Sequence, residues 1–133
     1  MNAVSTTELG PRVLICSRAS VRFLLVEDET VIAFLIEDML AELGFHHVLH
    51  AASVPDAIAL LRARLPDVAI LDVNVGNTPV YPIAELLAAA NIPFMFASGY
   101  GNAGIPAQWK SVPTIQKPFE GGTLAAAIGS ILS

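Results

Sequence analysis

The chain has a single cysteine, Cys16, so it can close no internal disulfide, which weakly favours a reducing compartment. It has no cluster of lysine or arginine. Seven basic residues are scattered among twelve acidic ones, and the net charge is −5. The basic surface that phosphate backbones require is missing, so nucleic acid is a poor direct partner. No apolar run is long enough to cross a bilayer. The N-terminus lacks a positive start, and its apolar stretch Val13-Leu14-Ile15-Cys16 is too short for a signal peptide. These absences point to a soluble cytoplasmic protein without a membrane partner. Charged residues are also scarce, at 14%, whereas 54% of the 133 residues are hydrophobic. Such a chain suits one folded domain that needs no metal or disulfide staple.

Residues 1–20 are mixed and polar, broken by Gly10-Pro11, and read as an N-terminal extension that is partly disordered. Within it, Val13–Cys16 is either an extra edge strand or a cover for an exposed apolar surface. From Val21 a rhythm begins that marks the domain, residues 21–133. Val21–Val26 reads as a strand buried on both faces. Thr30–Leu43 has helical spacing, with a core stripe of Ile32, Ile36, Met39 and Leu43 widened by Leu35 and Leu40, and Gly44 stops it. Strands are expected at His47–Ala51, Val68–Leu71, Pro93–Ala97 and Thr114–Gln116. Helices are expected at Val54–Arg64, capped by Ser53, at Val80–Ala90, capped by Asn77 or Thr78, and at Thr123–Leu132. The stretch 99–113 carries three glycines and two prolines and does not suit a regular helix. Alternating strands and helices imply parallel pairing, right-handed crossovers and a doubly wound α/β fold. In such folds the site lies outside the carboxyl ends of the strands.

At those ends stand Glu27-Asp28, Asp72, Ser98 and Lys117-Pro118. A parallel sheet turns all of them into one crevice. Two carboxylates about 4 Å apart repel by roughly 4 kcal/mol at an effective dielectric of 20. A cation, or a proton on one acid, relieves that. With oxygen donors and no histidine or cysteine at the strand ends, Mg²⁺ is the natural ion. A carboxylate can also take a phosphoryl group as a covalent nucleophile, with Lys117 and Ser98 holding the new oxygens.

The set "FLLVEDE", "AILDVNV", "FMFASGY" and "IQKPF", in this order and spacing, resembles the receiver domain of bacterial two-component response regulators. The resemblance covers about Val21–Leu132. "PFMFASGYG", preceded by "VYPIAELLAAANIP", further resembles a subgroup with a Phe-Ala-Thr-Gly-hydrophobic-Tyr signature, although Ser98 replaces its Thr and Gly99 runs directly into Tyr100. The resemblance implies a flavodoxin-like five-stranded sheet, order 2-1-3-4-5, with helices on both faces. It implies that Asp72 accepts a phosphoryl group from a histidine kinase or histidine phosphotransfer protein. It also implies that Asp28 binds Mg²⁺ directly and Glu27 through water, that the Asn74 backbone carbonyl is a further ligand, and that Ser98 and Lys117 hold the phosphoryl group. The Lys117–Pro118 bond is expected to be cis. Receivers often dock the phosphodonor on the first helix. There Phe34, opposite the core stripe, is a candidate contact for a partner or for a homodimer.

Three departures from the family pattern matter. The acidic pair is Glu-Asp. Thr114 stands where receivers usually carry a switch aromatic, three residues before the lysine. The helix between the fourth and fifth strands is degenerate, replaced by 99–113, so a change of order in that stretch, with Tyr100 or Trp109 repacking, is expected to carry the signal. The chain stops at Ser133 on the last helix, so a stand-alone receiver acting through a downstream protein is expected, not a conventional enzyme. Three rival readings stand beside it: a degenerate receiver that binds partners without phosphorylation, an aspartyl-phosphate phosphohydrolase, and a nucleotide-binding domain. The second lacks an acid at Asn74, and the third lacks a glycine-rich loop after strand one. His46, His47 and His50 read as edge histidines away from the crevice.

Overall fold

The computed structural model describes residues 18–101 and 103–132. Val13–Cys16 lies outside the described residues. The five sheet strands are β1 (Arg22–Val26), β2 (His47–Ala51), β3 (Val68–Asp72), β4 (Phe94–Ser98) and β5 (Thr114–Gln116). All neighbours pair in parallel in the order β2-β1-β3-β4-β5. The helices are α1 (Thr30–Glu42), α2 (Val54–Ala63), α3 (Tyr81–Ala89) and α4 (Gly121–Leu132). This is the doubly wound, flavodoxin-like arrangement expected from the alternation.

Alternate residues of each central strand feed opposite layers. Leu24, Val26, Leu71 and Phe96 pack with α2 and α3 through Val54, Ala57, Ile83 and Leu87. Phe23, Leu25, Ile70 and Met95 pack with α1 and α4 through Ala33, Ile36, Leu40, Leu124 and Ile128. Because both faces are covered, the strands are nearly continuously apolar.

Local chemistry sets most element ends. Ser53 Oγ accepts from Asp56 N at 3.2 Å and caps α2. Gly44, at φ +94°, ends α1, with Phe45 N donating to Leu40 O at 2.9 Å. Two expectations fail. Asn77 and Thr78 do not cap α3. They belong to a short hairpin, Asn74–Val75 against Thr78–Pro79, and Val80 is the residue that precedes the helix. Leu35 is not in the core: it is 52% exposed, and the buried line of α1 is Ala33, Ile36 and Leu40. At about 100° per residue, a face centred on Ala33, Ile36 and Leu40 leaves Leu35 turned outward.

Between β4 and β5, among the described residues, there is no α-helix. A 3₁₀ turn at Ala107–Trp109 takes that place. Ile105 and Trp109 plug the layer that a helix would cover. The Trp109 ring stands edge-on to Phe94 (5.9 Å between centroids) and Phe96 (6.3 Å). At the start of the described chain, Arg18–Ser20 forms another 3₁₀ turn. The Arg18 guanidinium donates to Leu43 O at 2.8 Å and lies 5.7 Å from the Phe45 ring centre.

Candidate functional site

β1, β3, β4 and the residues after β5 deliver their first polar residues to one crevice. Asp28, Asp72, Asn74, Ser98 and Lys117 line it, with Glu29, Asn77 and Tyr100 at the mouth. Carboxylate oxygens of Glu27, Asp28 and Asp72 lie within 4.8 Å of one another. The juxtaposition expected from the strand ends is therefore present.

The two adjacent acids have different surroundings. Glu27 is buried, only 1% exposed, and its Oε1 lies 2.6 Å from Lys117 Nζ. Its Oε2 accepts from Glu29 N at 3.1 Å. Asp28 is exposed, and its Oδ2 accepts from Gly76 N at 3.0 Å. Gly76 and Asn77 both have positive φ, 58° and 64°, which makes the connection of the short hairpin a primed turn. That hairpin is what holds Asp28, and the Gly-Asn dipeptide was its sequence signal.

Asp72 ends β3, and its Oδ2 lies 3.4 Å from Lys117 Nζ. Burial, then the Glu27 and Asp28 charges, push its carboxyl up from 3.8 to about 6, against the opposing pull of Lys117. Burial works to lower the Lys117 pKa, but the hydrogen bond to Glu27 and the charges of Asp72 and Glu27 outweigh it, and the net shift is upward. Lys117 N donates to Ser98 O at 2.8 Å, and the Lys117–Pro118 bond is cis. Ser98 is buried, and its Oγ accepts from Tyr100 N at 3.0 Å. Asn74 sits in the hairpin beside the crevice, paired in register with Pro79. Phe34 lies away from this group on α1, 60% exposed.

One histidine departs from its expected place. His50, on β2, reaches the edge of the site: its Nε2–H donates to the Glu27 backbone carbonyl at 2.6 Å. The pairing of β1 with β2 puts His50 opposite Leu25, two residues before Glu27, so only the register reveals this contact.

All three acids offer oxygen; the half-buried Lys117 ammonium pairs closely with Glu27 and more loosely with Asp72. Such a donor set suits a hard divalent cation, so this cluster can hold a metal ion.

Comparison with known proteins agrees with this reading. The family model described as "Response regulator receiver domain" matches residues 23–129. The solution structure of SdrG from Sphingomonas melonis Fr1 is similar, with 37% identity and a TM-score of 0.77, covering 86% of this chain and 98% of that one. The chemotaxis protein CheY of Bacillus subtilis (strain 168) is 28% identical over 117 residues, 84% of this chain and 98% of CheY. The transcriptional regulatory protein YvrH of the same organism is 29% identical over 109 residues, 79% of this chain, which spans 46% of YvrH's length. The chain belongs to the response regulator receiver domain family.

Proposed function

We propose that this receiver takes a phosphoryl group on Asp72 from a phosphohistidine of a kinase or phosphotransfer protein and signals through protein contacts. The observation that carries this reading is the placement of Asp72 at 3.4 Å from Lys117 beside two further carboxylates in an open crevice. An Asp72 oxygen attacks phosphorus, the bond from phosphorus to the histidine nitrogen breaks, and its electron pair stays on the imidazole. The Lys117 ammonium pairs with the phosphoryl oxygens. The Ser98 hydroxyl accepts from Tyr100 N, so its own proton remains available to donate. Mg²⁺ fits the oxygen donors of Asp28, Asp72 and the Asn74 carbonyl, with Glu27 behind them. When bound it neutralises the acids and stabilises the charge on the phosphoryl oxygens. The same residues return the phosphoryl group to water slowly, so the chemistry is performed on the protein itself and not as enzymatic turnover.

The Phe-Ala-Ser-Gly-Tyr run, followed by a stretch with no α-helix among the described residues, supports the signature-subgroup reading. Incubation with acetyl phosphate and Mg²⁺, read by intact mass, tests the proposal. One added phosphoryl group on the native chain and none on Asp72→Asn is expected. Equal labelling of both proteins refutes it.

A further inference from the structure

The Glu27 main chain sits where the pairing of β1 with β2 ends. Glu27 N donates to Ala51 O at 3.0 Å, the final rung between the two strands. In a parallel ladder the N–H and C=O of one residue bond to partners two positions apart, so the next rung would bring Ser53 N to the Glu27 carbonyl. That rung is not made among the described residues: β2 has ended at Ala51, and Ser53 caps α2. The carbonyl belongs to a residue that is almost fully buried, so it needs a partner from the protein.

His50 supplies it. Its half-buried ring brings Nε2 to 2.6 Å from the Glu27 carbonyl oxygen. A carbonyl only accepts, so Nε2 carries the proton. A side chain on β2 thus provides the rung that the β2 backbone does not. Glu27 is then held at four points: its N on Ala51 O, its O on His50, its Oε1 on Lys117 and its Oε2 on Glu29 N. Asp28 is exposed, and its side chain is held by the Gly76 N–H. The direction of that side chain also depends on the peptide that joins it to Glu27, and the oxygen of this peptide is the one His50 holds. Turning the peptide would move Asp28 relative to Glu27 and Asp72, whose carboxylate oxygens now lie within 4.8 Å of its own.

We propose that His50 is a positioning residue for the acidic pair: by holding the Glu27 carbonyl it fixes the Glu27–Asp28 peptide, and with it the affinity of the crevice for a divalent cation. His50 does not line the crevice itself. It acts as partners behind a metal ligand do, by restricting the directions in which the ligand can point. This role rests on the reading of the crevice as a Mg²⁺ site, and adds to that site a residue from the edge strand of the sheet.

Two substitutions separate the hydrogen bond from the bulk of the ring. Glutamine carries an amide N–H at a reach close to that of Nε2, and methionine has a similar length without a donor. Mg²⁺ titration of the full chain, followed by the Asp28 and Asp72 amide resonances, should show binding about tenfold weaker in His50→Met and within about twofold of the native chain in His50→Gln. The metal-free proteins give a second readout that a packing role would not move. A hydrogen bond to a carbonyl polarises its peptide and shifts the nitrogen of the next residue downfield, so the Asp28 nitrogen resonance should move upfield in His50→Met and return in His50→Gln. Equal affinities in the native chain and both variants overturn the role of His50. So does an equal loss in both variants, which traces the loss to the ring's packing, and so does an Asp28 resonance unmoved in His50→Met. A native chain that binds no Mg²⁺ is a different failure: it overturns the metal reading and takes this role with it.

Discussion

Replacing Asp72 with asparagine should stabilise the metal-free protein, with a gain that grows as pH rises above 3.8 and is complete above about 6. The Asp72 carboxyl is raised from 3.8 to about 6, by burial first and then by the Glu27 and Asp28 charges. At ~1.4 kcal/mol per pH unit, that displacement is worth about 3 kcal/mol. The crevice is open to water, which screens part of it, so about 1.5 kcal/mol is the expected share. The sign follows from proton binding. Below 3.8 the carboxyl is protonated in both folded and unfolded chains, and its contribution is intact. Between 3.8 and about 6 the unfolded chain loses the proton first, and stability falls as pH rises. Above about 6 both states are ionised and the full cost is present. Asparagine carries no charge at any of these pH values. The difference in unfolding free energy between Asp72→Asn and the native chain should therefore grow by about 1.5 kcal/mol from pH 4 to pH 8. Urea unfolding followed by circular dichroism in the presence of a chelator measures it. Saturating Mg²⁺ should shrink or reverse the gain at pH 8, because the ionised carboxylate then has a cation to bind. A difference that stays flat from pH 4 to 8 refutes the account of how these charges share the crevice.

Other consequences follow from the same geometry. Lys117→Met strands the buried Glu27 carboxylate and should cost about 3–5 kcal/mol in urea unfolding; adding Glu27→Gln should recover most of that, and no recovery would show that the loss comes from packing. Phosphorylation should slow amide exchange across residues 103–113, where a 3₁₀ turn stands in place of a helix; unchanged exchange would remove this stretch from the signalling path. Phe34→Ala should reduce phosphotransfer from a protein donor several-fold while leaving labelling by acetyl phosphate unchanged, since Phe34 lies outside the crevice; equal effects on both donors would contradict a docking role.

The fold and the gathering of Glu27, Asp28, Asp72, Ser98 and Lys117 were legible because both depend on one-dimensional signals. Apolar runs that switch from a continuous pattern to helical spacing give the order of elements. The first polar residue after each run then names the strand ends. What was not legible depends on which neighbour each side chain meets. Glu27 and Asp28 are adjacent and chemically alike, yet one pairs with Lys117 across 90 positions of sequence and the other is held by the hairpin at Gly76. His50 touches the Glu27 carbonyl through strand register alone. Leu35 had the spacing of a core residue, but the buried face of the helix is centred on Ala33, Ile36 and Leu40, and a pattern of apolar residues this wide does not fix where that face is centred. Ser53 caps its helix as its residue type suggests, whereas Asn77 does not, because a positive φ in a primed turn and a helix cap draw on the same residue types.

On the proposed chemistry, the charges in the crevice link Asp72 to the stretch between β4 and β5, which among the described residues holds a 3₁₀ turn and no α-helix. Three carboxylates and one ammonium leave the crevice short by two positive charges, which is the charge of one divalent cation. On the proposed chemistry, phosphorylation replaces the single negative charge of Asp72 with a group carrying about two, so one further charge has to be met by nearby donors. The Lys117 ammonium is already shared between Glu27 and Asp72. Ser98 is the next donor, and its Oγ already accepts from Tyr100 N at the start of the stretch that ends in β5. Thr114 cannot relay a ring movement: its hydroxyl donates to Val112 O at 3.3 Å, within the same loop. Any movement of Ser98 toward the phosphoryl group therefore acts first on Tyr100, which is 80% exposed and free to repack. Further along the same stretch, Trp109 is anchored against Phe94 and Phe96, with an indole N–H that has no acceptor among the described residues. A buried donor left unpaired costs about 1–3 kcal/mol, so the resting loop is held by ring packing against a standing polar penalty.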